Sequence, residues 1–255
     1  MRGENMSSHH ISVRSLVSRK LVGAFFAVFA LLAQPLLPIN VPSAFAIAGS
    51  VHTTDLSTWD LSETRSAGHQ ALLENGLHVW TDTGITGSPD PRKAAAYYST
   101  NFSLADAADF NLDWTGTTPA AGGQLAVDLD NNGSTDGYLV VESVYGGING
   151  VVWFSNHGAS TATGIDLATN APHEAGGGGY ANQGLLSSWI AAFPNAVVTK
   201  IGYSLGSGIN GDGVISQITA GGVNYTFGLP AIAEVNGQGY SSLQAAVTAA
   251  TPGST

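Results

Sequence analysis

Cysteine is absent from all 255 residues, which excludes disulfides, thiol catalysis and cysteine-ligated metal together. Bases are nearly as scarce: 18 acids stand against 8 lysines and arginines. Arg2, Arg14, Arg19 and Lys20 lie before residue 47 with only Glu4, so beyond it 17 acids face 4 bases, a net charge of −13. Those bases are Arg65, Arg92, Lys93 and Lys200. Such a surface repels phosphate backbones, because nucleic-acid binding needs Lys and Arg to displace counterions. Anionic lipid is disfavoured for the same reason. Hydrated cations and neutral polymers remain as partners.

A long hydrophobic run is also missing. The apolar stretch from Leu21 to Ala33 ends at Gln34-Pro35, short of the roughly 20 residues a membrane helix requires. Arg14, Arg19 and Lys20 precede it, and Ala44-Phe45-Ala46 follows with small residues two apart. Basic region, apolar core and A-x-A site predict a signal helix in residues 1–46 and Sec-type export. The leader exceeds the usual length of about 15–30 residues, so an uncleaved anchor is the alternative and the one membrane contact expected. The 209 residues that remain can build a core without disulfide staples. Export without cysteine fits a secreted or cell-surface bacterial protein.

What is present is glycine, 33 residues of it, and short alternating apolar runs between turn signals. Leu77 and Val79 alternate with His78 and Trp80, Phe110, Leu112 and Trp114 with Asn111 and Asp113, and Leu125, Val127 and Leu129 with Ala126 and Asp128. A period of two predicts strands with one face in a core. Further strands are expected at 138–144, 151–155, 196–204, 213–219 and 223–227, with Gly221-Gly222 as a two-residue hairpin turn. The fold expected for 47–228 is an all-β, jelly-roll-like antiparallel β-sandwich. One short helix interrupts it: Leu186, Trp189, Ile190 and Phe193 share a helical stripe before Pro194, a stripe read as core.

Residues 229–255 read as a linker and the start of a second domain. Ser241 and Gln244 form an S-x-x-Q capping box, and Leu243, Val247 and Ala250 share a face of a short helix ended by Pro252-Gly253. So small a helix is marginal alone, so more chain is expected to cover it.

Two resemblances follow from these pieces. The tail 234-EVNGQGYSSLQAAVTAATPG-253 resembles the N-terminal cap of right-handed parallel β-helix domains of bacterial surface proteins and pectate-lyase-like enzymes. The stretches 64-TRSAGHQALLENGLHVWT-81, 113-DWTGTTPAAGGQLAVDLDNNGSTDGYLVVE-142, 172-PHEAGGGG-179, 189-WIAAFPNA-196 and 203-YSLGSGINGDGVISQITAGGVNYTF-227 are similar to a β-sandwich module of exported bacterial proteins. The resemblance implies the fold and no activity. Leu185 stands where similar modules carry a Thr helix cap, a loss of about 1 kcal/mol locally.

The chemistry concentrates in 127-VDLDNNGSTDGYLVVE-142. Asp128, Asp130, Asn132, Gly133 and Asp136 follow the D-x-[DN]-x-[DN]-G pattern of calcium loops, where oxygens two residues apart converge. Leu139 occupies the position of the bidentate Glu, so this is not an EF-hand. The competing reading is a hairpin tip in which Asn132-Gly133 turns the chain while the Asp side chains cap N–H groups. Among the aromatics, Trp80 and Tyr145 are the candidates for stacking on sugar rings, since Trp80 is out of register with Leu77 and Val79 and Tyr145 lies in a glycine-rich stretch. No H-x-H or H-x₃-H pair offers zinc, no E-x-D-x-E run offers a glycosidase pair, and 204-SLGSG-208 is not a nucleophile elbow. The function expected is non-catalytic binding or adhesion to an extracellular glycan or surface component, with calcium as a stiffening ion. The alternatives are an accessory domain of a polysaccharide lyase or hydrolase, and a structural spacer.

Overall fold

The computed structural model describes residues 49–156 and 164–255. The expected signal helix and His157 lie outside the described residues. In chain order the strands are β1 (Gly49–Thr53), β2 (Gly68–Leu73), β3 (Gly76–Thr81), β4 (Lys93–Ser103), β5 (Asn111–Gly116), β6 (Gly122–Asp128) and β7 (Gly137–Val141). There follow β8 (Val151–Ser155), helix α1 (Leu167–Asn170), β9 (Gln183–Leu185), helix α2 (Leu186–Ala192) and β10 (Val197–Gly206). The chain ends with β11 (Asp212–Ala220), β12 (Val223–Phe227), β13 (Ala233–Val235), β14 (Gln238–Tyr240) and helix α3 (Leu243–Ala249). Among the described residues no helix is long and apolar enough to cross a membrane.

β1 to β12 form an all-β sandwich of two six-stranded sheets, and β13 and β14 pair as a separate two-stranded sheet. The first runs β1-β12-β11-β3-β2, with β5 along the other edge of β11; the second runs β4-β10-β6-β7-β8-β9. Pairing is antiparallel except between β1 and β12, which run parallel, so the expected antiparallel sandwich is corrected at one edge. The alternation read from the sequence selects the core. Leu77, Val79, Ile215 and Ile218 of the first sheet and Leu125, Leu139, Ile201 and Leu205 of the second are all buried in one cluster. Each such side chain contributes about 1.5–3 kcal/mol by leaving water. In β11, Gly213 and Ile215 point inward before an irregularity at Ser216, and Ile218 and Ala220 do so after it. One extra residue flips the parity, so both halves keep their apolar side inward.

Helix α2 sits where the helical stripe predicted. Trp189 is fully buried, stacks on Phe193 and Phe154 at 6.0 Å, and donates from its indole to the Val152 carbonyl at 3.3 Å. Leu185 gives the helix no side-chain cap. Glu174 takes over from a distant loop, accepting the Leu185 N–H at 3.0 Å and a short bond from the Ser188 hydroxyl. Its pKa is lowered by Ser188 and then by the Leu185 amide. Gly221 and Gly222 both take positive φ, as a twist-matched hairpin turn requires, and the two Asp109 oxygens accept both of their N–H groups.

The tail departs from its expected details. The helix cap is Ser242, whose hydroxyl accepts the Ala245 N–H at 3.1 Å, and not Ser241. Leu243 and Val247, the face expected to be covered by more chain, are exposed, while Ala246 is buried. Ala246 is the small residue that lets the helix lie close against the β13–β14 hairpin. Trp114, expected in the core, is only half-buried and donates to the Thr117 carbonyl.

Candidate functional site

The second sheet has a built outer face. Its free edge at β4 is sealed by residues 60–65. Asp60 and Tyr97 exchange both backbone hydrogen bonds, and the Arg65 N–H reaches the Lys93 carbonyl. Between them the Thr64 hydroxyl donates to the Ala95 carbonyl at 2.7 Å and accepts its N–H at 3.0 Å. A hydroxyl thus replaces a strand's peptide group where the edge would stay unpaired. This strip carries Asp60, Glu63 and Arg65 to one flank of the face.

Register sets the rest. Tyr97, Gly202, Gln124, Val140, Trp153 and Gln183 are successive cross-strand partners through β4, β10, β6, β7, β8 and β9. The neighbouring rung holds Ser99, Lys200, Ala126, Tyr138 and Ser155. On the other side lie Ala95, Ser204 and Gly122, with the Glu142 side chain packed against Gly122. Lys200 and Tyr138 fill the middle of the neighbouring rung, whereas Gly202, Gly122 and Ser204 leave the other side low between long flanking side chains, so the face dips there into a trough. Gly202 is required there: a Cβ would come within 2.2 Å of the Ala96 carbonyl oxygen and 2.6 Å of the Tyr97 ring. Part of the trough is a cleft of about 180 Å³ lined by Arg65, Lys93, Gln124, Glu142, Trp153 and Ser204, among others.

Polar groups in the trough are held from below and from the side. Lys93 pairs closely with Glu63, and the Tyr97 hydroxyl donates to Gln124 Oε1 at 2.6 Å while lying 3.1 Å from Glu63 Oε2. One end of the Gln124 amide is spent on Tyr97. Its other end has no hydrogen-bond partner among the described residues, although Gln124 is 4% exposed and lines the cleft. Burial, then the Glu63 charge, raises the Tyr97 pKa and pushes Tyr138 up to about 12. Lys200 donates to Asp60 at 2.8 Å and, with Ser62, lowers that carboxyl to about 2. Glu142 goes the other way, raised by burial against a weak opposing bond from Trp153.

The opposite flank is aromatic. Tyr180 stacks on Trp153 at 4.1 Å with planes 15° apart, and Trp153 also lines the cleft. Tyr180 sits after the glycine-rich turn 176–179, which Gln183 fastens by donating to the Glu174 and Gly176 carbonyls and accepting the Tyr180 N–H. Tyr145 lies on the single turn Ser143–Tyr145, and its hydroxyl approaches the same loop at Gly178. Tyr145, Tyr180 and Trp153 therefore meet at one rim.

Trp80 is elsewhere. It lies on the outer face of the first sheet, half-buried and stacked between His69 and His78 at 5.1 Å and 4.3 Å. Those rings in turn bond Asp82 and Asp212 at 3.1 Å and 2.7 Å. Two histidine rings thus already stack against it, so it is less open than its register suggested. Sequence reasoning missed Arg65, Lys93, Gln124 and Ser204, and the convergence of Glu63 and Glu142 on one face. Phase alone was the available signal: Lys93, Ala95 and Tyr97 share one face, as do Gly122, Gln124 and Ala126.

The acidic loop spans the eight residues between β6 and β7. It is a wider tip than a two-residue turn, with positive φ at Asn131 and Gly133. Asp128 accepts the N–H groups of Asn132 and Gly133 at 3.1 Å and 2.7 Å, and Asp136 accepts that of Leu129 at 2.7 Å. Asp128 and Asp136 are buried and Asp130 is exposed, yet all three offer ligand oxygens within 4.8 Å of one another. The Asn132 amide oxygen of the same loop accepts the Ser134 N–H at 2.9 Å. The three carboxylates, together with the Asn132 oxygen, are the residues that could hold a hard cation.

No family model, curated protein or solved structure matches the chain.

Proposed function

We propose that the chain is a secreted or cell-surface, non-catalytic module that binds an extracellular glycan along the outer face of its second sheet. The observation that carries the reading is the Trp153–Tyr180 stack beside a cleft that also presents Gln124, Glu142, Lys93 and Ser204. Sugar rings pack their C–H faces on aromatic planes, and a few fixed polar groups select their hydroxyls. The leader and the −13 charge beyond it support export and disfavour nucleic acid. The likeness of the tail to a β-helix cap supports a place at the front of a longer surface protein. Calcium is proposed at Asp128, Asp130 and Asp136, stiffening the loop at one end of the sheet. A glycan array tests the proposal: binding is expected for the wild type and for Trp80→Ala, and lost in Tyr180→Ala and Trp153→Ala. No bound glycan, with or without calcium, contradicts it.

A second reading rests on a specific observation. Glu63 is ion-paired with Lys93, burial raises the Glu142 carboxyl, and both residues flank one trough. Two carboxyls placed across a cleft are the usual equipment of a glycosidase. Glu63 is, however, already engaged by Lys93 and Tyr97, which leaves it poorly placed as a nucleophile. New reducing ends released from bound polysaccharide, and their loss in Glu142→Gln, would establish the hydrolytic reading over the binding one.

A further inference from the structure

The four lysines and arginines beyond the leader are not equivalent. Arg92 holds Asp90 through two bonds, Nε to Oδ1 at 3.0 Å and Nη2 to Oδ2 at 2.6 Å. Lys93 is paired with Glu63 and Lys200 with Asp60. Arg65 is the one such cation with no carboxylate at salt-bridge distance among the described residues. Its Nη1 donates to the Asp90 carbonyl at 2.6 Å and to the Ser207 hydroxyl at 2.7 Å. These bonds fix the guanidinium plane, and Arg92 has already taken the nearby Asp90 carboxylate. The Nε and Nη2 groups of Arg65 have no hydrogen-bond partner among the described residues, and Arg65 lines the cleft.

An arginine so arranged has a specific use. The guanidinium fork matches a carboxylate with two parallel bonds, and its preorganisation reduces the entropy lost on pairing. Three of these cations have carboxylate partners, whereas Arg65 keeps two donor groups of its fork free for an incoming anion. Ser207 fixes the plane from beside it, and Ser204 supplies a hydroxyl to the same cleft. We propose, on the glycan-binding reading above, that the Arg65 end of the cleft is a subsite for the carboxylate of a uronic-acid residue. The preferred ligand is then a mainly neutral oligosaccharide bearing a sparse carboxylate.

The charge distribution fixes the word sparse. Glu142 lines the other part of the cleft, and the −13 surface repels a polymer charged at every ring. From β8 to β4 the sheet has four inter-strand steps, roughly 19 Å at about 4.8 Å each. One oligosaccharide can therefore stack on the Trp153 side and place a carboxylate at Arg65.

The test uses two tetrasaccharides that differ only in one hexuronic acid replacing a hexose, titrated calorimetrically into the full chain. The uronic form is expected to bind at least tenfold more tightly to wild type. Arg65→Gln should erase that preference while still binding the neutral sugar, and Arg65→Lys, which keeps the charge without the fork, should fall between. Melting curves check that each variant is folded. Equal or weaker binding of the uronic form by wild type, or a preference that survives in folded Arg65→Gln, overturns the subsite and leaves the glycan reading intact. Binding of neither sugar removes the glycan reading itself.

Discussion

Trp153 and Glu142 meet across adjacent strands, the indole Nε1–H pointing to Glu142 Oε2 at 3.4 Å. The same indole carries Tyr180 on its ring. A stacking plane and a hydrogen-bond acceptor are thereby held at fixed mutual geometry by the β7–β8 register, without either residue depending on a long loop. This is the arrangement that a pyranose with one apolar face and an equatorial rim of hydroxyls would meet.

Two carboxyls of the trough titrate in opposite senses. Glu142 is raised by burial, so the folded state binds its proton more tightly than the unfolded chain does. Its ionisation costs stability as pH climbs from the ordinary carboxylate range of about 4.3 through the raised value. Glu142→Gln should therefore raise the melting temperature at neutral pH, with the gain vanishing below about pH 4. Asp60 is lowered to about 2 by Lys200 and Ser62. Its contribution is present above the unfolded value and is lost as pH falls toward 2, so Asp60→Asn should flatten the acid limb of the wild-type profile. Melting curves across pH read both effects.

The sealed edge gives a sharper stability test. Ala95 is fully buried, and both of its peptide groups on that side are satisfied by the Thr64 hydroxyl. Thr64→Val keeps the shape and removes both bonds, so denaturant unfolding should show a loss of about 1–3 kcal/mol. A change near zero would mean that water serves the edge equally well.

Turn and ion can be separated at the acidic loop. Asp128 holds two backbone N–H groups, so Asp128→Ala should lower the melting temperature whether or not calcium is present. Asp130 is exposed and belongs to the carboxylate trio, and no described hydrogen bond depends on it. Asp130→Ala should therefore match wild type in chelator and lose only the rise produced by calcium. If wild type melts identically in calcium and in chelator, the loop is a turn and nothing more.

Much of the fold was legible because alternation reports burial directly. Leu77 and Val79, or Leu125 and Val127, declare an inner face wherever their partners are. The helix at Trp189 declared itself by its different period. The parallel β1–β12 pair was not legible, since Gly49–Thr53 carries no sign of which strand it will meet.

The site was hidden for a related reason. Arg65, Lys93, Gln124, Glu142, Trp153 and Ser204 come from separate segments, and only the register of five strands places them together. Trp80 and Trp153 look alike in sequence, each stepping out of an apolar alternation. Their neighbours distinguish them: Trp80 has two stacked histidine partners, whereas Trp153 has one stacked aromatic partner and a cleft. Tyr145, singled out from its glycine-rich stretch, stands at the rim beside Tyr180.

The most direct measurement is the affinity of one array-selected oligosaccharide for wild type, Trp153→Ala and Trp80→Ala, each shown to be folded. The expected result is at least a tenfold loss for Trp153→Ala and an unchanged value for Trp80→Ala. Retained affinity in Trp153→Ala with loss in Trp80→Ala would move the working surface to the other sheet and contradict the account.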